Sequence, residues 1–417
     1  LSENSGTLMP SKKIAVSHAG KQHSYHLAKA LLDLSQLDGF YTSSYVGAEW
    51  LQQFFLKTGN TFFTRRFKEG LSGPKIHSHW RFEMAEFFAR KFQGKSQKVQ
   101  DLVYRRDMEF DQMLARQMPG IAADIFWGFQ GSCHESLQAA KNSGKLAVCE
   151  LATAHVVQAR KILSEEAALQ PDWADSIDNL YFPAAYEKRL EQEPHLADLV
   201  ISASDFTSYT LRESGIPENK IRKLSLGFES AHIPFSEDLG DFSRRPLRLL
   251  YAGTITQRKG VSYLLDAAES WAGRKDIELH MVGGIQGSGS SFFKRKHLCR
   301  YQPAVSQQQL FRMYTEYDAL ILPTVFEGFG LVIVEAMAAG LPVIATPHSM
   351  APDVVENGKN GWIIPIRDSA AIAGRVEELR QLDNDAYRNL RIQARQSALR
   401  FTWEAFAGNL RDLIELM

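Results

Sequence analysis

Leu320 to Thr346 reads LILPTVFEGFGLVIVEAMAAGLPVIAT, and the order of residue types in this stretch decides the kind of fold the chain adopts. Leu320 to Leu322 is a short apolar run of strand type, Phe329-Gly330 ends a turn, and Leu331 to Ala339 has the length and the Leu, Ala and Met content of a helix. Gly340 stands where a left-handed C-cap is wanted and Pro342 where a helix cannot continue, and Val343 to Ala345 resumes an apolar strand. Strand, glycine turn, short helix and strand form the unit of a parallel α/β sheet.

Glu335 is the one charged residue in that helix, among neighbours apolar nearly all round. A buried carboxylate costs several kcal/mol unless it is paired. Glu327 lies in the preceding turn, and the first backbone N–H groups of the helix, around Gly330 to Val332, lack intrahelical partners and attract anions. Carboxylates accept hydrogen bonds from hydroxyls and bare N–H groups suit phosphate, so the combination fits a sugar nucleotide better than a simple anion. The competing reading makes Glu335 the structural partner of a buried Arg or Lys.

Glu327, the Gly328-Phe329-Gly330 turn and Glu335, with seven residues between the two glutamates, resemble the signature of the family-4 retaining glycosyltransferases. The resemblance implies that Glu327 contacts the donor sugar and Glu335 the ribose hydroxyls, while the amides of Gly328, Phe329, Gly330 and Leu331 hold sugar and phosphate oxygens. It also implies two Rossmann-like domains facing a cleft, the GT-B arrangement, and retaining chemistry that needs no metal and no dedicated general base. The donor is then a nucleotide sugar and the acceptor a glycan or lipid-linked glycan.

The chain has 417 residues, enough for two or three domains, with 48 Lys plus Arg against 48 Asp plus Glu. That balance leaves no global field to recruit nucleic acid, and any membrane attraction must come from a local patch. Cys133, Cys149 and Cys299 have no metal-ligand spacing and read as buried thiols, with one disulfide left open. No apolar run reaches the length of a spanning helix and residues 1–11 hold no apolar signal core. The expectation is a cytoplasmic protein, with peripheral contact at the inner face of the membrane left open.

From the N-terminus, Lys12 to Ser17 reads as a strand and Tyr25 to Leu34 as a helix, joined by a loop with His18, Gly20, Lys21 and His23. Doubly wound sheets place ligands at such a loop, outside the carboxyl end of a strand. The resembling family often carries two adjacent glycines there, whereas Gly20 is single and followed by Lys21; a tight turn with surface histidines is the alternative. Gly39 to Val46 reads as a strand. Trp50 to Lys68 mixes Trp50, Phe54, Phe55, Phe62 and Phe63 with Lys57, Arg65, Arg66 and Lys68, which suits an acceptor groove, an anionic lipid surface or amphipathic packing. Residues 80–118 read as two long helices with Arg105, Arg106 and Arg116 on solvated faces.

Ala123 to Phe129 and Leu146 to Glu150 are strand candidates, and His155 follows at a helix start. The resemblance puts His155 near the donor sugar; a helix-start histidine bonded to backbone is the alternative. Ala197 to Ser204 and Ile221 to Leu226 add strands before a polar linker near Pro234 to Pro246. Leu247 to Ala252 opens a second sheet, and the Gly253 to Gly260 loop carries Arg258 and Lys259, which align with the family's phosphate-binding pair. Ile277 to Val282 is a further strand. Gly287 to Ser291 with the following FFKRK reads as a flexible basic loop, a lid or lipid-facing patch. Asp383-Asn384-Asp385 sits in a charged helical tail, not at a strand end where a metal would be held.

The reading is an N-terminal acceptor-binding domain over 1–235, a donor-binding domain over 236–400 and a last helix, 401–417, that the resemblance sends back to the first domain. Glu327, His155, Arg258 and Lys259 are the expected catalytic residues. Gly253, Gly328, Phe329, Gly330, Leu331 and Glu335 join Arg258 and Lys259 in donor binding, and His18, Gly20 and Lys21 form the facing loop. A phosphorylase or epimerase on the same fold, and a non-catalytic sugar-nucleotide sensor, are the alternatives.

Overall fold

A computed structural model describes residues 12–59, 61–84, 97–177, 182–237 and 242–417. Two wholly parallel sheets organise them. The first contains β1 (Ile14–His18), β2 (Leu37–Thr42), β3 (Ile76–Ser78), β4 (Ile125–Phe129), β5 (Leu146–Leu151), β6 (Leu199–Ser202) and β7 (Ile221–Lys223), in the spatial order β3-β2-β1-β4-β5-β6-β7. The second contains β8 (Leu247–Ala252), β9 (Ile277–Val282), β10 (Arg300–Gln302), β11 (Ala319–Leu322), β12 (Val343–Ala345) and β13 (Gly361–Ile363), ordered β10-β9-β8-β11-β12-β13. Strands β1, β4, β11 and β12 are buried along their whole length. Helices covering both faces of a parallel sheet explain why these segments read as apolar runs without alternation.

The strand order reverses between β1 and β4 in one sheet and between β8 and β11 in the other. A crevice opens at each such switch point, because the flanking loops leave in opposite directions. The organising stretch behaves as its residues dictate: β11, a turn, the helix Val332–Ala338, then Gly340 at φ 82° and β12. Helix Trp403–Glu415 crosses to the first sheet. Phe406, Leu410, Leu413 and Ile414 are buried in its core, and the Trp403 ring stacks on His26 with centroids 3.6 Å apart.

Several local expectations change. The second strand runs Leu37–Thr42, earlier than Gly39 to Val46, and β3 has no counterpart in the sequence reading. The second of the two long helices is Gln97–Gln117; the first falls largely on residues 85–96, which with linker positions Asp238, Gly240 and Asp241 lie outside the described residues. Arg105 is exposed, but Arg106 is largely enclosed beside Asp107, with Nη2 to Oδ1 at 2.8 Å, and also reaches Glu83. The basic loop after Gly289 is the helix Ser290–Arg295, with Phe292 fully buried. It is tied to the first half of the chain, since Ser288 N–H donates to Asp175 Oδ2 at 2.7 Å and Ser291 Oγ–H to the Asp172 carbonyl at 2.5 Å. An apolar anchor and these bonds make it a fixed element, not a free lid.

Helix Val156–Leu169 carries the main junction between the two sheets. The carboxylate of Glu166 is fully buried and accepts from three residues of the second half: Gln257 Nε2 at 2.7 Å, Tyr263 Oη at 2.9 Å and Arg367 Nε at 2.6 Å. Arg367 is one of three non-glycine residues with positive φ among the described residues, at 62°, a conformation that costs a bulky side chain energy and persists only where contacts hold it. Removing the carboxylate strands that cation and two polar groups. Glu166→Ala is therefore expected to lower the unfolding free energy by about 3 to 5 kcal/mol, read as a shift in the urea midpoint; a loss under about 1 kcal/mol would remove Glu166 as the interdomain anchor.

Candidate active-site cleft

At the second sheet's switch point the loops after β8 and β11 are locked together by backbone. The Arg258 carbonyl accepts from Val325 N at 2.9 Å, Phe326 N at 3.1 Å and Thr324 Oγ1 at 3.1 Å. Gly260 has φ 70° and lies against Pro323, whose carbonyl oxygen would be 2.0 Å from an added Cβ; only glycine fits a left-handed position at that approach. Sequence-distant groups meet as a result. Lys259 Nζ forms an ion pair with Glu327 Oε2, and Arg258 Nη1 lies 3.3 Å from the same oxygen and 3.1 Å from the Phe326 carbonyl. Burial pushes the Glu327 pKa up, but Lys259 and Arg258 outweigh it and hold the carboxyl below its ordinary range.

Glu335 is held differently. Gln307 Nε2 donates to Oε1 at 2.9 Å and the Tyr314 hydroxyl to Oε2 at 3.4 Å, and no cation pairs with it among the described residues. Burial raises its pKa, with Gln307 and Tyr314 pulling back. The reading of Glu335 as the partner of a buried cation is thereby corrected: helix Gln307–Tyr314 presents neutral donors at that place. Among the described residues the backbone N–H groups of Gly330, Leu331 and Val332 have no acceptor. The helix they open has seven residues, so its dipole is small, and the positive charge here comes from Arg258 and Lys259. Gly253 ends β8, its N–H donating to the Val282 carbonyl at 2.9 Å.

The first sheet faces this loop closely. An added Cβ on Gly328 would lie 3.0 Å from the Ala152 carbonyl and 3.2 Å from the Thr153 side chain, so a larger residue here would press on the first half of the chain. Beside the contact is a cavity of about 300 Å³, reached by Phe326 from the second half and by Gln22, Gln130, Glu150 and Thr153 from the first. Glu150, the last residue but one of β5, pairs through Oε1 with His23 Nε2 and accepts from Trp127 Nε1 at 2.7 Å on Oε2. His18 stacks on Phe129 at 4.8 Å and its Nδ1 accepts from Gly20 N at 2.9 Å. Burial first, then the neighbouring His23 and Arg106, lowers its pKa to about 3, so it is neutral at ordinary pH. Neither His18 nor His23 is the surface histidine of the alternative reading; both are buried. Lys21 is exposed, and its pKa is lowered by partial burial and by Arg65, Arg66 and Lys68.

His155 is not brought to the cleft. Ala154 and Val156 line the cavity, while the His155 ring turns away into the protein, its Nδ1 capping helix Val156–Leu169 by accepting from Val157 N at 3.4 Å. Burial lowers its pKa to about 4. The extended backbone before the helix alternates side-chain directions, which puts the histidine on the far side from its two neighbours. His23, Trp127 and the glutamines around Glu150 were missed as a group; the one signal was Glu150 itself, a carboxylate at the carboxyl end of an apolar strand. Cys133 and Cys149, distant in sequence, have Sγ atoms 3.9 Å apart beside Glu193, whose oxygens are taken by the amides of Gly131 and Cys133.

Residues 240–397 match the family described as glycosyl transferases group 1. The chain is 28% identical to the O-antigen chain mannosyltransferase B of Escherichia coli over 234 residues, 52% of this chain and 60% of that protein. It is 28% identical to the amylovoran biosynthesis glycosyltransferase AmsK of Erwinia amylovora over 206 residues, 45% of this chain and 49% of that one. The matched span covers between 49% and 59% of the length of the first curated relatives. Among solved structures, HepE of Anabaena, crystallised with UDP and glucose, superposes with a TM-score of 0.61 over 97% of this chain and all of that chain, at 15% identity. That likeness shows the fold: two Rossmann-like domains in the GT-B arrangement, of which the second, which holds the matched residues 240–397, carries Arg258, Lys259, Glu327 and Glu335.

Because Glu335 has neutral partners, Glu335→Gln keeps an acceptor for Gln307 and ends the burial of a carboxylate. Its unfolding free energy without ligand is expected to stay within about 1 kcal/mol of the parent, measured by thermal or urea unfolding; a loss of 3 kcal/mol or so would reinstate a buried ion pair.

Proposed function

We propose that the chain moves a sugar from a nucleoside diphosphate sugar to a hydroxyl of a glycan or lipid-linked glycan, with retention of anomeric configuration and without a metal. The observation that carries the proposal is the Arg258–Lys259–Glu327 cluster at the second sheet's switch point, directly across from a polar and aromatic cavity in the first. Two cations beside a sugar-binding carboxylate suit a diphosphate leaving group. The UDP and glucose bound in HepE and the mannosyltransferase and polysaccharide names of the curated relatives support the same class.

In this reaction the bond from the anomeric carbon to the diphosphate oxygen breaks and a bond from the acceptor oxygen to the same face forms. The acceptor proton passes to the departing phosphate. Arg258 and Lys259 stabilise the negative charge that grows on the diphosphate, and Glu327, which holds both cations, orients them and meets the sugar hydroxyls. Glu335, through its remaining lone pairs, accepts from the ribose, and the free amides of Gly330 to Val332 add donors. Burial of the cluster strengthens each of these contacts relative to water. A sensor would not require cations aimed at a leaving group.

Arg258→Ala and Lys259→Ala are each expected to lower turnover roughly 100-fold or more, by analogy with the loss of an oxyanion donor. Release of nucleoside diphosphate, assayed with and without candidate acceptors, reads this directly; near-normal turnover in both variants rejects the assignment.

Peripheral contact with a membrane belongs to the same proposal. Helix Glu49–Thr58 exposes Trp50 (71%) and Phe54 (54%) on one stripe, while Leu51 and Phe55 pack on the core. Lys57 and Arg65 are exposed nearby in sequence, and none of the described helices is long and apolar enough to cross a bilayer. Aromatic and basic side chains together favour an anionic surface, so the protein is expected to sediment with anionic vesicles, and Trp50→Ser with Phe54→Ser to abolish this. Equal recovery with neutral and anionic vesicles, or no effect of the pair, ends the idea.

A further inference from the structure

We infer that the cavity in the first sheet's half of the cleft takes an uncharged sugar unit, and that Glu150 is the carboxylate that binds one of its hydroxyls. Calling that unit the acceptor rests on the glycosyltransferase reading; the binding chemistry rests on the cavity itself.

The cavity, about 300 Å³, is the size of a small carbohydrate site. Its wall mixes two kinds of group. Gln22, Gln100 and Gln130 line it with side-chain amides, which supply both donors and acceptors to hydroxyls, although Gln130 Nε2 also donates to the Leu190 carbonyl at 3.0 Å. Tyr104, Phe182 and Phe326 add aromatic lining, the kind of surface against which the C–H side of a pyranose packs. Tyr186 is fixed in the same wall, its hydroxyl 3.2 Å from Asp107 Oδ2.

Among the described lining residues Glu150 is the acidic one. His23 Nε2 meets one of its oxygens and Trp127 Nε1 the other, at 2.7 Å, and His23 is itself wedged edge-on against Phe129 at 5.1 Å. The carboxylate therefore points in one fixed direction. The Glu150 side chain is 1% exposed and lines the cavity, and since each carboxylate oxygen has two lone pairs and the protein donors account for one on each, one acceptor position per oxygen remains. A fixed anion attracts hydroxyl protons and repels carboxylate or phosphate, so the wall selects a neutral polyol over an acidic sugar. Phe326 is shared with the loop that holds Glu327, so a sugar seated here lies against the donor side of the cleft.

The test follows the indole N–H resonance of Trp127, identified by its loss in Trp127→Phe, while methyl glucoside, mannoside and galactoside are titrated, with methyl glucuronide as the anionic control. At least one neutral glycoside is expected to move the resonance and the glucuronide to leave it in place. Glu150→Gln is expected to weaken neutral-glycoside binding about tenfold or more, the loss of one hydrogen bond to a charged group, with UDP or GDP binding by thermal shift unchanged. Gln22→Ala, on the exposed loop, is expected to weaken it several-fold and serves where Glu150→Gln fails to fold. Tighter binding of the glucuronide, no response to any neutral glycoside, or unaltered binding in these variants overturns the inference. Glycoside binding without nucleoside diphosphate release from any donor and acceptor would reject the glycosyltransferase reading alone and leave the sugar site standing.

Discussion

The buried carboxylate of Glu166 is the constraint on which the relation of the two sheets depends. A fully buried anion is stable only with donors on all sides, and every donor found here, from Gln257, Tyr263 and Arg367, belongs to the other half of the chain. The same segment makes further bonds across the junction: Gln257 N–H donates to Ser176 Oγ at 2.9 Å and Ser288 N–H to Asp175. A second tie lies on the opposite side, where Lys223 bridges Asp205 at 2.7 Å and Asp353 at 2.8 Å. Between these ties the two switch points face each other at a set distance, and the Gly328 turn reaches the Ala152 backbone.

That distance gives the cleft its division of labour. On one side the charge is concentrated, with two cations and Glu327 within a single locked pair of loops. On the other, amides and aromatic rings surround one oriented carboxylate. Under the proposed function the first of these is the donor side and the second the acceptor side, so charge of both signs would meet the nucleotide and one oriented carboxylate the glycan. The two glutamates of the organising stretch also part company: Glu327 is held ionised by cations, whereas Glu335 sits among neutral donors with its pKa raised. Similar residues eight positions apart experience opposite electrostatics because one lies on a loop beside another loop and the other on a helix beside a helix.

The sequence by itself determined strands of parallel α/β type and the helix with its Gly340 stop, since each follows from periodicity and turn chemistry, whereas two such domains facing a cleft and a basic loop serving the acidic turn were what the family resemblance implied. Strands β8 and β9 fall where Leu247 to Ala252 and Ile277 to Val282 place them. What only the tertiary structure decided concerns partners. Glu166 attracts no notice in sequence because its donors lie 91, 97 and 201 residues away. His155 reads as a cleft residue until the backbone turns its ring from the cavity, Arg106 reads as solvated until Asp107 and Glu83 enclose it, and Glu150 gains direction only when His23 and Trp127 close on it. Local sequence sets period and propensity, whereas the environment of a charge is set by whichever distant segments fold against it.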